Sequence, residues 1–305
     1  MLEPASFHPP LATDTFRVPS YSTWRPLGAV APTALVDARM QLHHAAQVAN
    51  AAAISLLRPE ADDSHTAFTW DTSLGALVAR EIARPRAMRF ALHVADLTLL
   101  QLVGDALVAG YPLAGRTQAE ALAWVQERIT AAGGDGASVS MQRHFAIDGA
   151  APDAMRPWRA ADGAARELAA WWANASQLLT EIGERETAAG PVRCWPHHFD
   201  IATLLSEPRA ADGTRHTIGI GLSPGDEYHA EPYWYVGPYP HPRVDRLPPL
   251  RAGSWQTRGW FGAVLTGSEV VAAGDGVAQE RLTRAFVEEA LREVRALRAA
   301  HERPS

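Results

Sequence analysis

Histidines, carboxylates and aromatic side chains crowd into the stretch from Cys194 to Tyr239. It reads Cys194-Trp195-Pro196-His197-His198-Phe199-Asp200, then Ser223-Pro224-Gly225-Asp226-Glu227-Tyr228-His229-Ala230-Glu231, then Tyr233-Trp234-Tyr235. Neutral imidazole together with carboxylate is a donor set for zinc, iron or manganese. The same groups serve general acid–base chemistry. If this stretch is extended, His198 and Asp200 share one face and His197 and Phe199 the other. At most one of the adjacent histidines then joins Asp200. His229 and Glu231, or Asp226, would complete the site from the next strand pair. The catalytic candidates are therefore Asp200, His198, His229 and Glu231. No spacing matches H-x-x-x-H or H-E-x-x-H, so neither a metal nor any other cofactor is assigned. The bland alternative makes the histidines hydrogen-bonded strand-end groups and Asp226-Glu227 a solvated turn.

Three further patterns invite a chemical reading. Gly221-Leu222-Ser223-Pro224-Gly225 matches the G-x-S-x-G nucleophile elbow by letter. An elbow needs the backbone N–H after the serine for its oxyanion hole, and Pro224 has none. Ser223 is instead expected to cap a turn or helix start, with Asp226 three residues on. Cys194 lies three residues before His197, yet a lone cysteine beside Trp195 is more often a small buried hydrophobe than a nucleophile. Among Trp195, Tyr228, Tyr233, Trp234, Tyr235, Tyr239, Trp255 and Trp260, alternation separates Tyr233 and Tyr235 from Trp234. One set packs in the core, and the other is free to wall a ligand cleft with its polar tips inward. Trp195, Tyr233 and Tyr235 are the candidate ligand walls. His43, four residues before Gln47 on one helix face, joins them if that face looks into the cleft.

These groups need a scaffold, and the composition supplies one. The 305 residues are 47% hydrophobic, with one cysteine and a formal net charge of -6. A large core needs no disulfides, and the single cysteine fits a reducing, cytoplasmic setting. All 28 basic residues are arginine. Lysine chemistry is thereby excluded: no Schiff base and no Walker-A phosphate loop. The arginines are scattered rather than clustered, which argues against nucleic acid as a partner. The start, Met1-Leu2-Glu3-Pro4, lacks the form of a signal peptide. No window holds the roughly 18 uncharged apolar residues of a membrane span.

Residues 1–32 read as an extended arm anchored by Tyr21 and Trp24. An Ala-rich helix is expected from about Pro32 to Leu57, stopped by Pro59. Alternation over Thr66–Thr72 predicts a strand. Met88–Val94 and Leu97–Val103 predict a hairpin, with Gly104-Asp105 turning into a third strand over Ala106–Tyr111. Thr117-Gln118-Ala119-Glu120 has capping-box spacing for a helix to Ala132, closed by Gly133-Gly134. A strand over Ala137–Met141 follows. Residues 146–163 are patternless and mark a linker between an N-terminal half, 33–145, and a C-terminal half, 164–305. The second half predicts a helix over Ala164–Ile182. Strands follow at Val192–Leu205, His216–Leu222, Tyr233–Val236 and Gly262–Leu265, then a helix over Val277–Ala300. Its wet side sets Glu288 four residues from both Arg284 and Arg292. Both halves run helix, strands, helix. Short spacings between strands favour hairpins, and the fold class is α+β, with antiparallel sheet covered by helices.

With Trp24, Leu42-His43 and Gln47, Phe90–Val94, Phe199-Asp200-Ile201-Ala202 and Tyr233-Trp234-Tyr235 in this order, the chain resembles a bacterial family of uncharacterised proteins, catalogued only as a domain of unknown function. The resemblance spans about residues 20–300. The chain departs from the family pattern at His197-His198, where the family carries small and aromatic residues. The resemblance implies no activity. Three functions fit the residues: a hydrolytic or lyase-like enzyme, metal-assisted if a metal binds; a non-catalytic binder of a small molecule; and a structural or partner-binding protein whose aromatic strands are all core.

Overall fold

The computed structural model describes residues 24–83, 86–143, 145–147, 155–209, 213–242 and 246–301. Most of the expected arm, including Tyr21, and part of the expected linker lie outside those residues. The fold is α+β with two antiparallel sheets. Helix α1 (Val36–Leu56) leads into strands β1 (Thr69–Asp71), β2 (Ala76–Val78), β3 (Arg89–His93), β4 (Thr98–Val103) and β5 (Ala106–Pro112), then helix α2 (Gln118–Ala131). Helix α3 (Gly163–Arg185) opens the second half. After it come β6 (Arg193–Cys194), β7 (Ile201–Glu207), β8 (His216–Ser223), β9 (Tyr233–Tyr239), β10 (Ser254–Gln256) and β11 (Gly262–Thr266), then α4 (Gly267–Ala272) and α5 (Gly276–His301).

The first sheet runs β1-β2-β3-β4-β5 and the second β10-β11-β9-β8-β7-β6. Their edges meet where Phe68 and Cys194 exchange two backbone hydrogen bonds of 2.9 Å. Period-two alternation sorts the first sheet. Leu77, Phe90, Leu92 and Leu99 face the main core, while Ala76, Val78, Ala91, Leu100 and Leu102 form a small cluster on the opposite face. The main core is continuous through both halves. It takes in Leu42 and Val48 of α1, Trp171, Trp172 and Leu178 of α3, Ile218, Ile220 and Leu222 of β8, and Phe286 and Val294 of α5.

Local signals work where they are local. Thr117 and Glu120 make both bonds of the capping box that starts α2, and Gly133 leaves that helix at φ 89°. The α5 stripe buries Phe286, Val287, Leu291 and Val294. The segment before α1 is fixed by side-chain amides. Asn174 of α3 accepts from the Arg25 N–H and donates to the Arg25 carbonyl, and Gln279 of α5 does the same for Leu27. Each amide pairs with backbone as a neighbouring strand would, which satisfies groups that are costly to bury unpaired. Trp24 is thereby laid against Trp234, with ring centroids 6.4 Å apart.

Four expectations need correction. Ala137–Met141 is not a strand: a 3-10 turn at Gly136–Ser138 takes its start, capped by the Asp135 carboxylate, and Gln126 of α2 binds the Val139 carbonyl. Short strands β2 and β10 are additional. The wet face of α5 pairs differently. Arg284 binds Glu181 of α3 at 2.5 Å and Glu280 at 2.7 Å, and Arg292 turns to Glu293 at 3.2 Å. The strand expected over Val192–Leu205 is two strands, β6 and β7, folded back at Trp195–Asp200. Pro196 has no N–H for a ladder, so the chain turns there. This last correction rearranges the site.

Candidate functional site

The hairpin between β6 and β7 places the first carboxylate. Its last rung is the Trp195 N–H to the Asp200 carbonyl, 2.9 Å, and the Phe199 N–H closes the loop on the Trp195 carbonyl, 2.7 Å. Phe199 adopts φ 59°, a left-handed conformation that costs a residue with a Cβ roughly 1–2 kcal/mol. Packing holds it there. The His43 ring stacks on Phe199 at 4.6 Å and 2°, and Trp172 meets it edge-on at 4.9 Å. His43 Nε2–H donates to the Pro196 carbonyl at 2.7 Å, and Gln47 donates to the same oxygen at 2.9 Å. One face of α1 thus pins the turn that carries Asp200. Burial lowers the His43 pKa to about 4, so its ring is neutral at pH 7. Phe199→Ala should destabilise the protein by about 3–5 kcal/mol through lost packing. Phe199→Gly should cost less than Phe199→Ala, because glycine relieves the left-handed strain. Thermal melts of both variants check the order, and an alanine variant more stable than the glycine one would contradict this account.

The second carboxylate comes from the loop between β8 and β9. Asp226 Oδ1 accepts from the N–H groups of Tyr228 and His229, each at 2.8 Å, and Oδ2 accepts from the Tyr233 hydroxyl at 2.6 Å. Three donors suit an acceptor-only carboxylate with roughly four lone-pair positions. Ser223 ends β8, and its hydroxyl accepts from the Gly225 N–H at 3.2 Å; it caps a turn, and no helix follows it. The two glycines of the apparent elbow have another use. A Cβ on Gly221 would lie 2.6 Å from the Tyr235 hydroxyl, and one on Gly225, at φ 116°, would lie 2.3 Å from the Arg39 guanidinium.

Asp200 is the buried group, 8% exposed. Tyr235 stands opposite Gly221 in the β8–β9 ladder. Its ring passes over that glycine, and its hydroxyl donates to Asp200 Oδ2 at 2.5 Å. Oδ1 is buried with no hydrogen-bond partner among the described residues. Burial pushes the Asp200 carboxyl above the usual carboxylate range; the Tyr235 hydroxyl and His198 pull the other way, and the Asp226 charge adds to the rise. Burial likewise raises the hydroxyls of Tyr233 and Tyr235, each with a carboxylate beside it. Two Tyr–Asp pairs thus stand side by side, with the tyrosine rings 6.2 Å apart.

Both pairs line one cavity of about 340 Å³. Its walls are Arg39, Met40 and His43 of α1, the 197–200 turn, the 223–228 segment, Tyr233, Tyr235 and Trp260. Trp260 stacks on Tyr233 at 6.2 Å and 22° and meets Tyr235 edge-on at 6.1 Å and 76°. Of the residues singled out from sequence, the fold brings Asp200, His198, His43, Tyr233 and Tyr235 to this cavity, with Asp226 and His197, so both adjacent histidines reach it and not at most one. Three others do not line it. Glu231 Oε2 is bound by the N–H and hydroxyl of Ser268, each at 2.6 Å, at the start of α4. His229 packs its ring against Tyr233 at 4.8 Å. Trp195 lies under the Arg193 guanidinium at 5.8 Å. His229 and Glu231 are expected from the next strand pair, but they lie in the segment between β8 and β9, where of Asp226, His229 and Glu231 Asp226 alone lines the cavity. Among the described residues no group of three His, Cys, Asp and Glu side chains is placed to hold a metal ion. Cys194 is fully buried and its thiol is pushed up by burial, which disfavours the thiolate a nucleophile needs.

No protein-family model matches this chain, and no curated protein or solved structure matches it. Function rests on the site alone. Sequence reasoning missed Arg39 and Met40, which lie four and three residues before His43 on one helix face. Tyr228 and Trp260 belong to the aromatic-rich group but are not assigned to the wall by alternation, and Phe199 reaches the wall only through the turn. Among the described residues no helix is long and apolar enough to cross a membrane.

Proposed function

We propose that the protein is an enzyme that takes a small polar molecule into this cavity and acts on it by acid–base chemistry of the hydrolytic or lyase type. The observation that carries this reading is Asp200: a buried carboxyl, raised by burial and held by the Tyr235 hydroxyl, in the wall of a cavity that also contains a differently solvated carboxylate. Paired carboxyls in unequal environments divide acid and base roles. Asp200, protonated, gives its proton to the leaving group as the scissile bond breaks. Asp226, with one lone-pair position left, takes a proton from the attacking water in a hydrolysis, or from the substrate in an elimination. The cavity volume falls in the roughly 300–1,000 Å³ range of small-molecule sites. The aromatic wall of Trp260, Tyr233 and Tyr235 equally suits a second reading, a binder that does no chemistry.

Asp200→Asn separates the two. The wild-type protein is assayed against 4-nitrophenyl esters, 4-nitrophenyl glycosides and aminoacyl 4-nitroanilides. Turnover of one class that falls by about 10²–10⁴ in the variant supports the acid–base role. Retained binding without turnover favours the second reading. Stability supplies an independent readout with a definite sign. A carboxyl whose folded pKa is raised contributes stability that is present in full below the unfolded value of about 3.9, and that stability is lost as pH rises through the folded value. Asp200→Asn should therefore melt higher than wild type at neutral pH, and the gap should close toward acid. A pH-independent gap would show that Asp200 is not the buried, raised group described.

A further inference from the structure

We infer that the cavity is built for a small organic cation, a primary ammonium or amidinium attached to a flat or compact apolar body. The inference rests on the reading of the cavity as a small-molecule site and names the ligand class. The first observation is the unequal use of donors and acceptors. Three donors beside the carboxyls are committed: Tyr235 to Asp200, Tyr233 to Asp226, and His43 Nε2 to the Pro196 carbonyl. Asp200 Oδ1, more than nine-tenths buried with its residue, has no hydrogen-bond partner among the described residues, and in the ionised form that a bound cation favours it is an acceptor. A buried acceptor left without a donor costs about 1–3 kcal/mol, so a ligand N–H placed there recovers that loss.

Charge and shape point the same way. The carboxylates Asp226 and Glu227 and the carboxyl of Asp200 share the lining with one guanidinium, Arg39, and with the imidazoles of His197 and His198, while His43 is held neutral. Arg39 lies against Gly225, in the space a side chain would fill. Trp260 and Tyr235 meet at 76° while Tyr233 stacks on Trp260, so the rings form an aromatic corner beside the carboxyls. Aromatic faces attract cations, most strongly when water is excluded. A bound ammonium would also favour the ionised form of Asp200, so binding should release a proton and weaken as pH falls.

Three probes of one shape and different charge test this: benzylammonium, benzyl alcohol and benzoate, titrated calorimetrically into the full chain at neutral pH. Benzylammonium should bind at least about tenfold more tightly than benzyl alcohol, the difference worth about 1.4 kcal/mol. Asp200→Asn should weaken benzylammonium more than benzyl alcohol and so remove that advantage. Trp260→Leu, at a half-buried position that need not disturb the core, should weaken the cation more than the alcohol. Equal affinity for cation and alcohol, no binding of benzylammonium, or tightest binding of benzoate through Arg39 would each overturn the inference. Failure here is distinct from failure of the enzymatic reading. Asp200-dependent turnover of an uncharged substrate, with no cation preference, sinks the ligand class alone. Cation binding without any turnover leaves the ligand class standing and removes the catalysis.

Discussion

Phe286→Ala should lower the melting temperature by on the order of 10 °C without touching the cavity. Phe286 is 1% exposed and belongs to the core that α5 shares with the second sheet. Truncating a buried phenylalanine costs about 3–5 kcal/mol, because the lost burial is joined by the cost of the void. A typical domain has a total stability of only about 5–15 kcal/mol. In a chain of this length each kcal/mol moves the melting temperature by roughly 2–4 °C. Val277, at the start of the same helix and 57% exposed, is the control: Val277→Ala should stay within about 0.5 kcal/mol of wild type. A Phe286→Ala protein that melts with the control would show that α5 does not seal this core.

Gly221→Ala should damage the site more than its size suggests. The new methyl would sit 2.6 Å from the Tyr235 hydroxyl and 2.7 Å from the Ile201 carbonyl oxygen. Both are below any ordinary contact, and the carbonyl belongs to the neighbouring strand and cannot move freely. Tyr235 must therefore leave Asp200, which strips the buried carboxyl of the Tyr235 hydroxyl bond. Overpacking of this kind costs about 1–3 kcal/mol. The turnover or ligand binding supported by wild type should fall by at least about tenfold. Adding Tyr235→Phe to Gly221→Ala should cost little beyond Gly221→Ala alone, since the hydroxyl is already displaced; the double-mutant cycle reads this directly. Additive losses in that cycle would separate Gly221 from the Tyr235–Asp200 pair.

Much of the scaffold was legible because its causes are local. A capping box needs only Thr117 and Glu120 at the right spacing, and both of its bonds form. Period-two alternation separates Trp234, fully buried in the core, from Tyr233 and Tyr235 at the cavity. Period 3.6 marks the buried faces of α3 and α5. Pro224 removes the one N–H an oxyanion hole would need, and Ser223 ends as a turn cap. The α+β class, the antiparallel hairpins and the candidacy of Asp200, His198, His43, Tyr233 and Tyr235 all follow from such short-range rules.

Tertiary structure decided the rest, because the remaining causes act between residues far apart in the chain. The Trp195–Asp200 hairpin depends on His43 and Gln47, about 150 residues earlier, both gripping the Pro196 carbonyl; by sequence alone the same residues continue as one strand. Glu231 is drawn from the candidate set by Ser268. Arg39 enters it because Gly225 leaves room for a guanidinium. The depth of Asp200, which sets its proton affinity, is a property of every element packed around it. Periodicity fixes which face of an element a side chain occupies, whereas desolvation and hydrogen-bond partners are fixed only when the elements meet.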